Sequence, residues 1–177
     1  MSSDGRARAV VGVSGSPGSL AALHRAVREA RRSDAEVLAV LAWEPPGGEL
    51  AHGRSMLAPP VSGLRRDAAD RLLAVLDSAF GDTGPGVAFQ GLVVRGSAGR
   101  ALVETADRPD DLLVIGAGPR GPFRGLFPSV TRYCVAHAAC PVLTVPPSPL
   151  EGELAALHRR ISLRLAVDAR ELTEGGG

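Results

Sequence analysis

The sequence contains no lysine: all 20 basic residues among its 177 are arginine. That excludes a nucleophilic or Schiff-base lysine and the lysine of a Walker-type phosphate loop. Any cationic contact to a phosphate must come from arginine, a good bidentate partner for such groups. Aromatic residues make up only 3% of the chain, so the core must be built mainly from Val, Leu and Ala. Two cysteines, Cys134 and Cys140, do not make a disulfide framework or a zinc signature. The histidines, His24, His52, His137 and His158, are scattered, without Cys or carboxylate neighbours at ligand spacing, and no metal site is expected from them. A net charge of +1 offers no electrostatic handle for nucleic acid or an anionic membrane. No apolar run approaches the ~20 residues of a membrane span. Met1 to Ala9 lacks the apolar stretch of a signal peptide. The expectation is a cytoplasmic protein with neither nucleic acid nor membrane as partner.

What the chain does have is alternation. Ala9–Val13, Glu36–Trp43, Val87–Val94, Asp111–Ile115 and Pro141–Val145 are short apolar runs that read as buried strands. Between them lie stretches with helical spacing. Leu20, Leu23, Val27 and Ala30 share one face, and so do Leu64, Ala68, Leu72, Val75 and Ala79. Further helices are expected from Ser97 to about Asp107 and from Ser129 to about Ala138, with Ser97 as a cap. Glu44–Gly63 is a long Pro/Gly/Ala-rich connection. Strands with near-continuous apolar runs alternating with amphipathic helices imply an α/β fold: a doubly wound, Rossmann-like parallel sheet of five strands with helices on both faces. Residues 1–147 form the expected domain. After Pro146–Pro149, the residues Leu150, Leu154, Leu157, Ile161 and Leu165 predict a C-terminal amphipathic helix, with a tail, over 148–177. That helix would pack on its own domain or on a protein partner.

In doubly wound sheets, ligands bind at the carboxyl ends of the strands where the strand order reverses. The loops after the first and fourth strands, Ser14–Gly18 and Gly116–Pro128, are the two candidates. Glycines in the second loop let backbone N–H groups approach a ligand, and the helix starting near Ser129 adds free donors and a favourable dipole. Arg120 and Arg124 could add charge. The plainer reading is a Gly/Pro-rich surface loop without a ligand. Trp43, ending the second strand, is expected to pack. Cys134 and Cys140 are expected as buried small apolar groups, and His137 as a contact at a helix C-terminus.

The order of these pieces resembles the universal stress protein family. Three places carry the resemblance: Val10-Val11-Gly12-Val13-Ser14-Gly15-Ser16 with Ser19 and Ala22-Leu23; Asp111 to Gly118 continuing to Phe123-Arg124-Gly125-Leu126; and Ser129-Val130 followed by His137-Ala138-Ala139-Cys140-Pro141-Val142-Leu143. The resemblance covers about four-fifths of the chain, from Arg8 to Pro146. It implies a homodimer paired through the last strand, Val142–Val145. It also implies ATP, with Mg²⁺, as ligand in some members, and Gly12, Ser14, Leu41, Gly116, Gly118, Gly121, Ser129 and Val130 as the positions that would hold it. The family pattern of Gly-x2-Gly-x9-Gly followed by Ser or Thr is altered here. Ser14 stands where an Asp is expected, the loop is one residue short, and Pro119 or Pro128 takes a glycine position. Each lost hydrogen bond to a charged phosphate costs roughly 1.5–3 kcal/mol, or about 10- to 100-fold in affinity. A regulatory, non-catalytic module with a weakened nucleotide loop is therefore the expectation. The alternatives are a true ATP binder with slow hydrolysis or autophosphorylation, and an adenylating enzyme. The latter would use Ser14–Ser19, which is similar to the Ser-Gly-Gly-x-Asp-Ser loop of ATP pyrophosphatases. Ser16 and Gly18 depart from that loop, which otherwise reads as a strand-to-helix turn with Ser19 as cap.

Overall fold

Strand Arg8–Gly12 (β1) is the hub of the sheet, and its sequence RAVVG shows why. Val10 and Val11 are β-branched and point to opposite faces, and both are fully buried. In the computed structural model, which describes residues 6–45, 61–118 and 129–147, four more strands join it. They are Glu36–Trp43 (β2), Phe89–Arg95 (β3), Leu112–Gly116 (β4) and Val142–Val145 (β5). The sheet order is β3-β2-β1-β4-β5 and every pairing is parallel. Val10 lies level with Leu38 on one side and Leu113 on the other. The five-stranded parallel α/β sheet expected from the apolar runs is thus the observed fold.

Helices Pro17–Ser33 (α1), Val61–Phe80 (α2), Ala98–Thr105 (α3) and Val130–His137 (α4) cover the sheet. Alternation along each strand separates two cores. Ala9, Val11, Val37, Ala39, Leu41 and Val114 pack with Ala22, Leu23, Ala26 and Ala30 of α1 and with Ala68 and Leu72 of α2. Val10, Leu38, Val40, Leu113 and Ile115 pack on the opposite face with Leu102 of α3 and Cys134 of α4. Parallel crossovers require such two-sided cover.

Element ends differ from the sequence expectation in instructive ways. α1 starts at Pro17, whose missing N–H costs nothing in a first turn. Its cap is Ser16, whose hydroxyl accepts from Ser19 N at 3.3 Å, not Ser19. α3 does begin after Ser97, but that side chain makes no capping bond; Ala101 N donates to the Ser97 carbonyl instead. The C-terminal helix and tail expected over 148–177 lie outside the described residues.

At the amino ends of β1 and β4 sits an ion pair. Arg8 grips Asp111 with two donors, Nε to Oδ1 at 2.9 Å and Nη2 to Oδ2 at 2.6 Å. The Asp111 side chain is wholly buried, and it also accepts from Arg108 N at 3.1 Å. Arg8 further reaches Asp107 at 2.7 Å and holds that carboxyl below its ordinary range. The carboxylates in turn push the Arg8 guanidinium up, Asp111 chiefly.

Candidate functional site

The sheet order reverses between β1 and β4. From β1 the chain moves outward through β2 and β3, then returns to the other side of β1 as β4. The loops leaving the carboxyl ends of β1 and β4 therefore diverge, and the crevice between them is the natural ligand position. Everything described at that crevice comes from three pieces: the turn Ser14–Ser16, the end of β4 at Gly116–Gly118, and the start of α4 at Ser129.

The turn after β1 is a web of hydroxyls. Ser14 N donates to Ser19 Oγ at 3.2 Å, and Ser19 Oγ donates to the Ser16 carbonyl at 2.9 Å. Ser14 Oγ and Ser16 Oγ are 3.0 Å apart, and both residues are exposed. Gly15 between them has φ 78°, a left-handed conformation that favours glycine. A small, polar, tightly wound turn results.

Across the crevice, β4 approaches α1 closely. A Cβ on Gly116 would lie 2.6 Å from the Gly18 carbonyl oxygen and 2.7 Å from its carbon. Only glycine lets the two backbones touch here. β4 then hands the chain on through Ala117 N, which donates to the Val145 carbonyl at 2.7 Å, and Gly118 N, which donates to the Gly116 carbonyl at 2.9 Å. α4 is pinned to the same place, since Thr131 Oγ1 donates to the Gly116 carbonyl at 3.1 Å. Its cap is Ser129, whose Oγ accepts from Arg132 N at 3.4 Å, leaving the hydroxyl proton available. The first-turn N–H groups of such a helix lack partners within the helix and favour an anion.

A model of the universal stress protein family matches residues 5–146. The chain belongs to that family. Universal stress protein Rv1996 of Mycobacterium tuberculosis is 33% identical to it over 143 residues, 79% of this chain. The Mycobacterium bovis protein Mb2019 is similar to the same degree. The match spans 44% of those relatives, so this chain corresponds to under half of their length. Among solved structures, a universal stress protein in complex with cAMP superposes with a TM-score of 0.62 at 27% identity, over 82% of this chain and 100% of that one. UspA from Lactobacillus plantarum gives 0.56 at 25% identity, over 79% and 97%.

Within this universal stress protein domain, the residues expected to hold a nucleotide separate into groups. Gly116 touches Gly18 of α1 and accepts from Thr131 of α4, so the turn after β1, the end of β4 and the start of α4 are neighbours; Ser14, Gly118, Ser129 and Val130 lie on those three pieces. Gly116 serves there as a contact between backbones. Gly12 instead turns its bare Cα toward Leu102 of α3, where a Cβ would meet Cδ1 at 2.9 Å. Leu41 is 1% exposed and its side chain packs in the α1–α2 core. Gly121, with Pro119, Arg120, Arg124 and Pro128, lies outside the described residues. Sequence reasoning missed Gly18 and Thr131 as the residues that register α1 and α4 on the end of β4. Gly18, directly after a helix-starting Pro, was the available signal.

Trp43 is largely buried, as expected for a packing residue, with Arg95 Cζ 5.9 Å over its ring. His137 Nδ1 lies 2.9 Å from the Tyr133 carbonyl near the end of α4, and its ring stacks on Tyr133. Cys134 and Cys140 are both buried free thiols. Burial pushes Cys134 up to about 11 and raises Cys140 as well. Both stay protonated at neutral pH and are poor nucleophiles. Among the described residues no group of three or more His, Cys, Asp or Glu could hold a metal, and no helix is long and apolar enough to cross a membrane.

The donor set of the crevice can be compared with what a nucleotide needs. Ser129, the first turn of α4 and the Ser14 and Ser16 hydroxyls suit a phosphate or sugar oxygen. The amides of Ala117 and Gly118 are already engaged with carbonyls. β1 leads into the hydroxyls of Ser14 and Ser16 rather than the carboxylate expected from the family pattern, so this turn supplies no anionic partner for a ribose hydroxyl or a Mg²⁺-bound water.

Proposed function

We propose that this chain is a non-catalytic regulatory module of the universal stress protein family that takes an adenine nucleotide weakly at the carboxyl ends of β1 and β4. The observation carrying this reading is the crevice where Gly116 meets Gly18 and Thr131 ties α4 to the end of β4. That arrangement presents hydroxyls and a helix N-terminus, groups that bind phosphate without activating a nucleophile. The related structure with cAMP supports a ligand of one phosphate in a fold of this kind. A nucleotide, when bound, would bring the charge that α4 is oriented to receive. Ser129 would donate to a phosphate oxygen, and Ser14 would meet the sugar.

Assembly and location belong to the same proposal. β5 is an edge strand of four residues with Val142, Leu143 and Val145 only half-buried. An apolar edge of this kind pairs readily with a second copy. The module acts as a homodimer in the cytoplasm. Light scattering at micromolar concentration would return twice the chain mass; a monomer would overturn the pairing.

Calorimetric titration tests the ligand. Protein checked for co-purified nucleotide would be titrated with cAMP, AMP and ATP·Mg²⁺. Weak binding of each, in the range of about 0.1–1 mM or some −5 kcal/mol, with no turnover of ATP, is the expected result. Micromolar, Mg²⁺-dependent ATP binding with hydrolysis would overturn the non-catalytic reading. Absence of heat with all three at millimolar concentration would overturn the nucleotide reading.

A further inference from the structure

Six large hydrophobic residues are exposed among the described ones, and three of them share the eight-residue helix α4: Val130 (40%), Tyr133 (40%) and Val135 (60%). Tyr133 leans over Gly99 of α3, where a Cβ would come within 2.8 Å of its ring, and it stacks on His137. That side is occupied. On the opposite side, Ser129, Thr131, Arg132, Val135 and Ala136 line a depression of about 330 Å³ that no other described residue fills. A valine 60% exposed in the lining of a depression, beside Arg132, is a surface shaped for cover.

The position at which the chain leaves the described domain selects the cover. Val145 ends β5 and accepts from Ala117 N at 2.7 Å. Ala117 follows Gly116, whose carbonyl accepts from Thr131 of α4. Residues 146 and 147 therefore leave the sheet beside the first turn of α4. The family match ends at residue 146, so the C-terminal segment beyond it is not assigned by the family. Its sequence carries Leu150, Leu154, Leu157 and Ile161 at helical spacing, with Glu151 and Glu153 in the first turn. Starting beside Ser129 and running parallel to α4, such a stripe would place the two glutamates near Arg132 and the leucines along Val135 and Ala136. At 1.5 Å per residue, α4 spans about 12 Å, which the stretch from Leu150 to Leu157 matches in length.

We propose that residues 150–161 dock in cis on the outer face of α4, covering Val135 and Ala136 with Leu154 and Leu157. The contact is independent of the nucleotide proposal. It would also tie the C-terminal segment to α4, the helix whose first turn borders the crevice.

Hydrogen exchange on the full chain tests it through two variants on opposite sides of the contact. Val135→Asp changes an exposed position, and Leu157→Asp changes a residue outside the described sheet and helices. The proposal expects wild-type amides of 150–161 to be protected. Val135→Asp should speed their exchange at least ~10-fold, the equivalent of about 1.4 kcal/mol. Leu157→Asp should likewise speed exchange in α4. Unprotected wild-type amides in 150–161, or protection that Val135→Asp does not change, would overturn the proposal. Protection that rises with protein concentration would also overturn it, by making a second copy the occupant.

Discussion

Gly116→Ala should damage this domain while Gly118→Ala, two residues on, should not. The added methyl at Gly116 would lie 2.6 Å from the Gly18 oxygen, 2.7 Å from its carbon and 3.2 Å from Ser19 N. All three are backbone atoms, so no side-chain rotation relieves the clash. Ordinary contacts stand at about 3.5–4.0 Å, which demands a separation of about 1 Å between β4 and α1. α1 cannot simply slide, because Ala22, Leu23 and Ala26 are fully buried in its core. Overpacking of this kind costs about 1–3 kcal/mol. Displacing the start of α1 also strains the Ser14 N to Ser19 Oγ bond, adding about 1 kcal/mol. A loss of about 2–4 kcal/mol lowers the melting temperature by roughly 5–15 °C for a domain of this size. Among the described residues, Gly118→Ala meets nothing within 4 Å, and Gly18→Ala only ordinary contact at 3.9 Å to the Gly116 Cα. Both should stay within about 0.5 kcal/mol of the parent. Urea denaturation followed by circular dichroism measures all three. A Gly116→Ala protein as stable as Gly118→Ala would refute the close approach, and with it the crevice built on it.

Asp111→Ala leaves Arg8 without its bidentate partner and should cost roughly 3–5 kcal/mol in equilibrium unfolding; a loss under 1 kcal/mol would mean that water replaces the carboxylate readily. Ser14→Asp restores the expected anionic group and should tighten ATP·Mg²⁺ about 10-fold or more by calorimetry, and an unchanged affinity would place the ligand elsewhere. Cys134 should resist thiol labelling of the native protein at pH 8, because burial carries it from 9.0 up to about 11; rapid labelling without unfolding would contradict its burial. The sign of its effect on stability is set by the same shift. Folded protein keeps the proton that unfolded protein loses, so this contribution is whole below pH 9.0 and declines as pH rises toward about 11. A Cys134→Ser variant, compared by denaturation from pH 8 to 11, should lack that part of the decline.

The sequence alone determined the order of strands and helices, because a buried strand and an amphipathic helix differ in hydrophobic period whatever lies around them. Val10-Val11, Val37–Leu41 and Leu113–Ile115 read as buried strands because their apolar runs are short, rich in valine and bounded by turn residues. It also determined the family, because motifs at the ends of β1, β4 and α4 keep their spacing along the chain. Tertiary structure decided which glycines do what. Gly12, Gly116 and Gly118 look alike in a sequence, yet one faces Leu102, one touches the Gly18 backbone and one meets no described atom within 4 Å. Leu41 shows the same limit: its chain position suits a ligand at the strand end, but pleat and register turn its side chain into the α1–α2 core. The pairing of Arg8 with Asp111, 103 residues apart, was equally invisible. It arises because β4 returns to lie beside β1, and a long-range neighbour relation of that kind is set by how the sheet closes, not by any local pattern.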